Sequence, residues 1–223
     1  MDKFQLTGRT NSHVKVDNTL DLVAEAETSA AFSALKTAAA KEGIRLKAYS
    51  SFRNFNAQLE IWNKKYTGQR TLYDPQGKPL DYPSLSIKDR IYAILTWSAL
   101  PGASRHHWGT DIDVIDEAAL PDHYQVQLLP HEFAAEGIFY RLQQWLQENM
   151  ARYGFFKPYH YFKGGVSAEP WHISYAPLAK KLLGEITPEI VLEAISEGNL
   201  LGGEIVREML PEIFKTYVLN ICE

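Results

Sequence analysis

The sequence contains little of what disulfide-bonded, membrane-spanning or nucleic-acid-binding proteins need. Cys222 is the only cysteine among 223 residues, which excludes an internal disulfide and a zinc cluster built on thiolates. No apolar run approaches the length that spans a bilayer. The net charge of −4 comes without a long run of Lys or Arg, so we expect no nucleic-acid binding and no membrane insertion.

The sequence also has no internal repeat and no low-complexity tract. Its N-terminal residues lack the apolar core of a secretory signal, so we expect a cytoplasmic protein, with a periplasmic or exported location as the alternative. Hydrophobic residues make up 45% of the chain and aromatic residues 12%, which is enough for one substantial core. Nothing in the sequence specifies an oligomeric state.

Helix and strand patterns alternate along the chain and predict an α+β fold, a small, mainly antiparallel sheet packed by helices. Helices are predicted over 27–43, 54–68, 86–100 and about 131–152, and strands over 44–52, 110–116, 154–159 and 169–175. Residues 67–85 hold three prolines and two glycines, which predicts a long binding loop or lid.

The C-terminal part of the chain is predicted to be helical. Thr187-Pro188 is a good helix start, and two helices are expected from there to the end, with Gly202-Gly203 between them. We therefore divide the chain into a main domain, residues 1–183, and a C-terminal helical extension, residues 184–223, that packs on it.

Residues 98–116, SALPGASRHHWGTDIDVID, concentrate side chains that can bind a metal. A Trp-Gly corner at 108–109 predicts a hairpin that brings His106 and Asp113 to one side. Each residue alone is better explained by a polar turn, a satisfied histidine or a solvated strand face than by a metal site. The chain chemistry also does not choose between His106 and His107.

A second segment, EPWH at 169–172, supplies further candidates. His172 can bind metal. Residues three apart point to opposite faces of a regular strand, so Glu169 must stand at the strand entrance to reach the same site. Together the two segments offer two imidazoles, one carboxylate ligand and one free carboxylate that can act as a base.

Three motifs carry a resemblance to a known family. SRHHWGTDID fits Ser-x-His-x-x-Gly-x-Ala-x-Asp at Ser104, His106, Gly109 and Asp113; EPWH fits Glu-x-x-His; and SSFRNFNAQ is similar to Tyr-Arg-Ser-x-x-x-Gln at Arg53 and Gln58. Over about residues 45–175 the chain resembles the D-alanyl-D-alanine carboxypeptidases of the VanY type. These belong to the zinc-peptidase superfamily that also holds lysostaphin-like enzymes and the hedgehog signalling domain.

The resemblance implies one zinc ion on the sheet, held by His106, Asp113 and His172, in a catalytic domain that covers residues 1–183. It implies that Glu169 is the general base and that Arg53 stabilises the oxyanion. We expect Gln58 and Ser104 to bind substrate and Trp171 to line its pocket. The implied substrates are peptidoglycan stem peptides or muropeptides that end in D-alanine, cut by a D,D- or L,D-carboxypeptidase.

Two departures and two alternatives accompany this prediction. Asp111 replaces the small residue of the motif and could orient a ligand histidine or alter metal choice, and Asn54 replaces the usual Ser. One alternative is a lysin-like endopeptidase that cuts peptidoglycan cross-links. Such an enzyme needs an open substrate groove. The other is a non-catalytic zinc-dependent peptide-binding module, which would have lost the carboxylate that Glu169 provides.

Overall fold

The computed structural model describes residues 1–223 and contains helices, short 3₁₀ turns and two antiparallel sheets. The α-helices are α1 Lys3–Leu6, α2 Ala26–Lys41, α3 Phe55–Tyr66, α4 Ile87–Trp97, α5 Tyr140–Asn149, α6 Ala176–Leu183, α7 Pro188–Glu197 and α8 Gly203–Ile213. The strands are β1 Lys15–Asp17, β2 Leu22–Ala24, β3 Leu46–Ser50, β4 Asp111–Asp116, β5 Phe155–Phe156 and β6 His172–Tyr175. No helix combines the length and the apolar character needed to cross a membrane.

The larger sheet has the strand order β3-β4-β6-β5, and all its neighbours are antiparallel. All six residues of the inner strand β4 are buried. Because side chains alternate across a strand, Ile112 and Val114 enter the hydrophobic core beneath the sheet, whereas Asp111 and Asp113 occupy the other face. In the register of β4 with β6, Asp113 lies directly opposite His172.

Two hydrophobic clusters stabilise the fold. One packs the sheet against α2 and α5, with Phe32 and Leu142 fully buried. The other joins α3 and α4 to the C-terminal helices, and it includes Trp62, Val191 and Val206. The Trp62 indole also donates a hydrogen bond of 3.0 Å to a backbone carbonyl between α7 and α8. Burial of this apolar surface is the main force that holds the C-terminal helices against the rest of the chain.

The α+β fold with a small antiparallel sheet is confirmed, and several element bounds differ from the prediction. Within the helix predicted over 131–152, only α5 is α-helical. Of the strand predicted over 154–159, only the two residues of β5 form a strand. Helix α6 was not predicted at all. The prediction of a hairpin at the Trp-Gly corner is also wrong. His106 lies in a 3₁₀ turn, Arg105–Trp108, and β4 pairs with β3 and β6.

Candidate metal centre and active site

Three potential metal ligands converge at one end of the larger sheet. The side chains of His106, Asp113 and His172 are buried, and one ligand atom from each lies within 4.8 Å of the other two. Asp113 and His172 meet as cross-strand partners, and the 3₁₀ turn carries His106 over them. Gly109 ends this turn in the left-handed conformation, with φ of 69°. A Cβ at position 109 would come within 2.4 Å of a Val14 side-chain carbon, so glycine is required there twice over.

The two adjacent histidines have different surroundings, which distinguishes their roles. His106 Nδ1 lies 2.9 Å from the carbonyl oxygen of Ser51, which can only accept, so Nδ1 carries the proton and Nε2 faces Asp113 with its lone pair. His107 is fully buried with both ring nitrogens engaged by backbone: Nδ1 donates to Arg53 O at 2.6 Å, and Nε2 accepts from Gly102 N at 3.1 Å. His107 therefore has no free ligand atom.

His172 is oriented by a buried carboxylate. Its Nε2 donates to Asp111 Oδ2 at 2.8 Å, which leaves Nδ1 directed at Asp113. The same Asp111 oxygen accepts from Arg105 Nε at 2.7 Å, and Asp111 Oδ1 accepts from the hydroxyls of Thr110 and Ser174. Asp111 is fully buried, and burial alone would raise its pKa, but the charge of Arg105 and these hydrogen bonds hold the pKa below its usual range. Asp111 is thus an ionised carboxylate behind the site.

The donor set fits a zinc ion. His172 Nδ1 lies 3.1 Å from Asp113 Oδ1. Burial lowers the pKa of His172, but its hydrogen bonds and the charges of Asp113 and Asp111 raise the pKa to about 10, so either a proton or a metal ion lies between these two atoms. His106 Nε2 lies 3.4 Å from Asp113 Oδ2. Lone pairs that face one another repel unless a cation lies between them. Two ligands of a tetrahedral zinc ion lie about 3.3 Å apart, close to both distances.

Glu169 lies beside the triad without being part of it. Its Oε2 is 3.4 Å from His172 Nδ1, and a turn in which His172 N donates to Glu169 O places it at the entrance of β6. Burial raises the pKa of Glu169 to about 8, against the opposing charge of His172. A carboxylate with a pKa near neutrality exchanges protons well under physiological conditions.

Arg53 is held beside the site by two side chains. Its guanidinium donates to Gln58 Oε1 at 2.7 Å and to Ser50 Oγ at 2.9 Å. Gln58 is completely buried, and its amide donates to the carbonyl of Ala99 at 2.7 Å. Gln58 therefore stands behind Arg53 and does not line the cleft, so the structure gives no support to direct substrate binding by Gln58.

A cleft of about 490 Å³ opens over the triad. Ser104 and Trp171 both line it, and Trp171 stacks on Trp97 at 6.1 Å between ring centroids. Trp108 lies in the hydrophobic core and does not line the cleft. Sequence reasoning missed several polar residues of the wall, among them Lys65, Arg70 and Tyr159. Arg70 belongs to the predicted binding loop, so there was a reason in the sequence to expect it near the site. No pattern in the sequence pointed to Lys65 or Tyr159.

Comparisons with known proteins agree with this geometry. The family model "VanY: D-alanyl-D-alanine carboxypeptidase" matches residues 21–178. An uncharacterized protein of Haemophilus influenzae is 37% identical over 126 residues, which cover 56% of this chain and 96% of that protein.

Two solved structures share the fold. VanYB in complex with D-alanine-D-alanine has a TM-score of 0.53 at 22% identity, with 77% of this chain and 82% of that chain covered. The vancomycin-resistance D,D-pentapeptidase VanY in complex with Zn(II) has a TM-score of 0.52 at 22% identity, with 76% and 82% covered. Because the family model spans more than half of the sequence, including the triad and Glu169, this chain belongs to the VanY family of D-alanyl-D-alanine carboxypeptidases.

Proposed function

We propose that this protein is a zinc carboxypeptidase that hydrolyses the bond to a terminal D-alanine in peptidoglycan stem peptides, as a D,D- or L,D-enzyme. The observation that carries the proposal is the convergence of His106, Asp113 and His172, with the unliganded carboxylate of Glu169 3.4 Å from His172. A purely structural zinc site closes all four ligand positions with protein groups. Three ligands and a free carboxylate favour catalysis.

Three side chains are the proposed metal ligands, and two further groups orient the ligand imidazoles. His106 Nε2, His172 Nδ1 and a carboxylate oxygen of Asp113 would hold the ion, and Ser51 O and Asp111 fix the two imidazole tautomers. When bound, zinc supplies Lewis-acid chemistry and makes water nucleophilic near neutral pH.

Glu169 handles the protons. Its carboxylate accepts a proton from the water that attacks the scissile carbonyl carbon. When the carbon–nitrogen bond breaks, Glu169 returns that proton to the amine nitrogen of the leaving D-alanine. Burial raises the pKa of Glu169 above that of an ordinary carboxyl, which makes its carboxylate a stronger proton acceptor.

Arg53 and the cleft walls position the substrate. The Arg53 guanidinium, anchored by Gln58 and Ser50, is proposed to stabilise the oxyanion that develops on the scissile carbonyl. Ser104 makes no capping hydrogen bond with the turn that follows it, so its hydroxyl is available to the substrate. Trp171 provides an apolar wall.

The test is mass spectrometry of defined stem tetrapeptides, pentapeptides and cross-linked peptide dimers after incubation with the zinc-loaded protein. Loss of one alanine mass supports the proposal, and the peptide that loses it distinguishes D,D- from L,D-activity. Glu169→Gln is expected to lower the rate by about a hundredfold or more while retaining zinc. Glu136→Gln, at an exposed site, is the matched control. Cleavage inside cross-linked dimers alone would favour the endopeptidase, and zinc binding with no cleavage would favour the binding module.

A further inference from the structure

One wall of the cleft carries two cations that lack an acidic partner. Lys65 lies in the last turn of α3 and Arg70 in the loop that follows, and both line the cleft that contains Glu169 and the triad. Neither side chain forms an ion pair, whereas the adjacent Lys64 lies 2.5 Å from Glu60 on the outer face of α3. The pairing of Lys64 and the lack of pairing at Lys65 divide this helix end into a neutralised side and a cationic side.

The local fold brings the two cations together. Gly68 adopts a φ of 75°, which turns the chain back at the end of α3. The Arg70 backbone N–H then donates to the carbonyl oxygen of Lys64 at 3.1 Å. Residues 65 and 70 therefore face the same cleft although the helix has ended between them.

Lys65 has hydrogen-bonding capacity to spare. Its ammonium has three donors, and the single partner in the structure is Ser98 Oγ at 2.7 Å. Burial lowers the pKa of Lys65 to about 8, with Glu169 opposing and Arg70 and Arg53 reinforcing the shift. The side chain is therefore still mostly charged at pH 7. A partly buried, charged ammonium without a counter-ion is costly unless a ligand supplies one.

Positively charged side chains outnumber carboxylates in the cleft. Asp113 and Glu169 are directed at His172, 3.1 and 3.4 Å from its Nδ1, and Asp111 neutralises Arg105. Three cations, Arg53, Lys65 and Arg70, remain without a carboxylate partner. The proposed reaction places Arg53 at the oxyanion, and a terminal carboxylate supplies one negative charge for the other two cations.

We infer that Lys65 and Arg70 form an anion subsite that selects peptides with a second carboxylate, on the side chain of the residue that precedes the released D-alanine. This inference rests on the proposed function and names its substrate class: a peptide end with two carboxylates. Since both cations share the cleft with Glu169, groups close to the scissile bond are the ones within their reach. Charge-assisted hydrogen bonds at such a site are stronger than neutral ones.

The experiment compares two stem tetrapeptides, in which diaminopimelate directly precedes the terminal D-alanine. They differ only in the diaminopimelate side-chain carboxylate, which is free in one and a carboxamide in the other. The zinc-loaded protein should show a kcat/KM about tenfold or more higher for the free acid. Lys65→Met and Arg70→Gln should each reduce this preference, and in the double variant the kcat/KM values for the two peptides should become equal within about threefold of each other. Lys64→Met is the matched control and should keep the full preference.

The preference ratio separates recognition from folding, because a merely structural role of Lys65 would change both peptides alike. Arg70 is exposed, with no side-chain hydrogen bond, so Arg70→Gln tests the inference even if Lys65→Met folds poorly. Equal rates on the two peptides, or a preference that survives the double variant, would overturn the inference and leave the proposed function standing. No alanine release from either tetrapeptide would overturn the inference, and no release from the pentapeptide as well would overturn the proposed function.

Discussion

His172 and Asp111 are joined by a buried hydrogen bond of 2.8 Å between Nε2 and Oδ2, and this bond decides which nitrogen of His172 faces the metal site. The family motif has a small residue at position 111, so this chain supplies an orienting carboxylate that the motif does not require. A carboxylate behind a ligand imidazole fixes the ring and raises its basicity. Arg105, 2.7 Å from the same oxygen, keeps that carboxylate ionised.

We expect Asp111→Asn to lower zinc affinity by about tenfold or more, because the substitution removes the charge while nearly preserving the shape. Competition with a chelator of known affinity measures this on the purified protein. Asp116→Asn is the matched control: Asp116 lies on the same strand but accepts from the backbone of Arg45 and Ala118, away from the site. Unchanged zinc affinity in Asp111→Asn would show that the hydrogen bond does not tune the metal site.

Substitution of the two adjacent histidines should have different effects on zinc affinity in the same chelator competition. His106→Ala removes a ligand and is expected to weaken zinc binding by more than about a hundredfold, beyond the loss for residues that only orient a ligand. His107→Ala should leave zinc affinity nearly unchanged, but it strands Arg53 O and Gly102 N, so the free energy of unfolding should fall by about 1–3 kcal/mol. Denaturant unfolding measures the second effect. The reverse outcome would mean that His107 is the ligand.

Arg53 should affect turnover and not metal binding. Arg53→Met is expected to reduce kcat by about a hundredfold, because one oxyanion contact is lost, with zinc affinity unchanged. Gln58→Leu should produce a smaller loss, since it frees the guanidinium without removing it. Steady-state kinetics on the best stem peptide provides the measurement, and Arg45→Met, with a mostly exposed side chain, is the control. A full rate in Arg53→Met would assign the oxyanion to another group.

Lys157 makes the stability of the fold depend on pH. It is buried with the amide of Gln143 as its hydrogen-bond partner, and burial lowers its pKa to about 7. Between pH 7 and about 10.4, the ordinary pKa of lysine, the unfolded chain binds the proton and the folded protein does not, so stability rises with pH through this window.

Lys157→Met should abolish that rise and stabilise the protein at pH 7.5. The expected difference in the pH dependence of the free energy of unfolding between pH 7.5 and 9.5 is on the order of 2 kcal/mol. Urea unfolding at the two pH values gives the number, with exposed Lys41→Met as the control for charge removal. An equal rise with pH in Lys157→Met would place the dependence elsewhere.

The sequence predicted the parts of the site that follow from strand alternation. Asp113 had to oppose the apolar residues of β4, and Glu169 had to stand before β6, since residues three apart on a strand cannot share a face. Both positions are as expected. The surroundings of His106 were not predictable, because its turn is fixed by Ser51 O and by the burial of His107 against Arg53 O. Those contacts join residues more than fifty positions apart.

Other differences have the same non-local origin. Helix α5 starts only at Tyr140, after a turn in which Gly137 is packed against the carbonyls of residues 131 and 132, where a Cβ would lie 2.3 Å from an oxygen. Gln58 carries the family motif, yet its role depends on Ala99 O at the end of a different helix. The cations of the cleft wall meet through a turn at Gly68, which local pattern does not reveal.

Asp113 and His172 are held by strand pairing, whereas much of the cleft wall around them comes from loops. The chain between these two residues supplies Gln127, Leu129 and Val166 to the cleft, but the strand register alone holds the two ligands opposite each other. Loops can change length and sequence without disturbing the sheet that carries them. Changes in the loops that carry Gln127, Leu129 and Val166 can therefore reshape the cleft while the strands keep Asp113 and His172 in place.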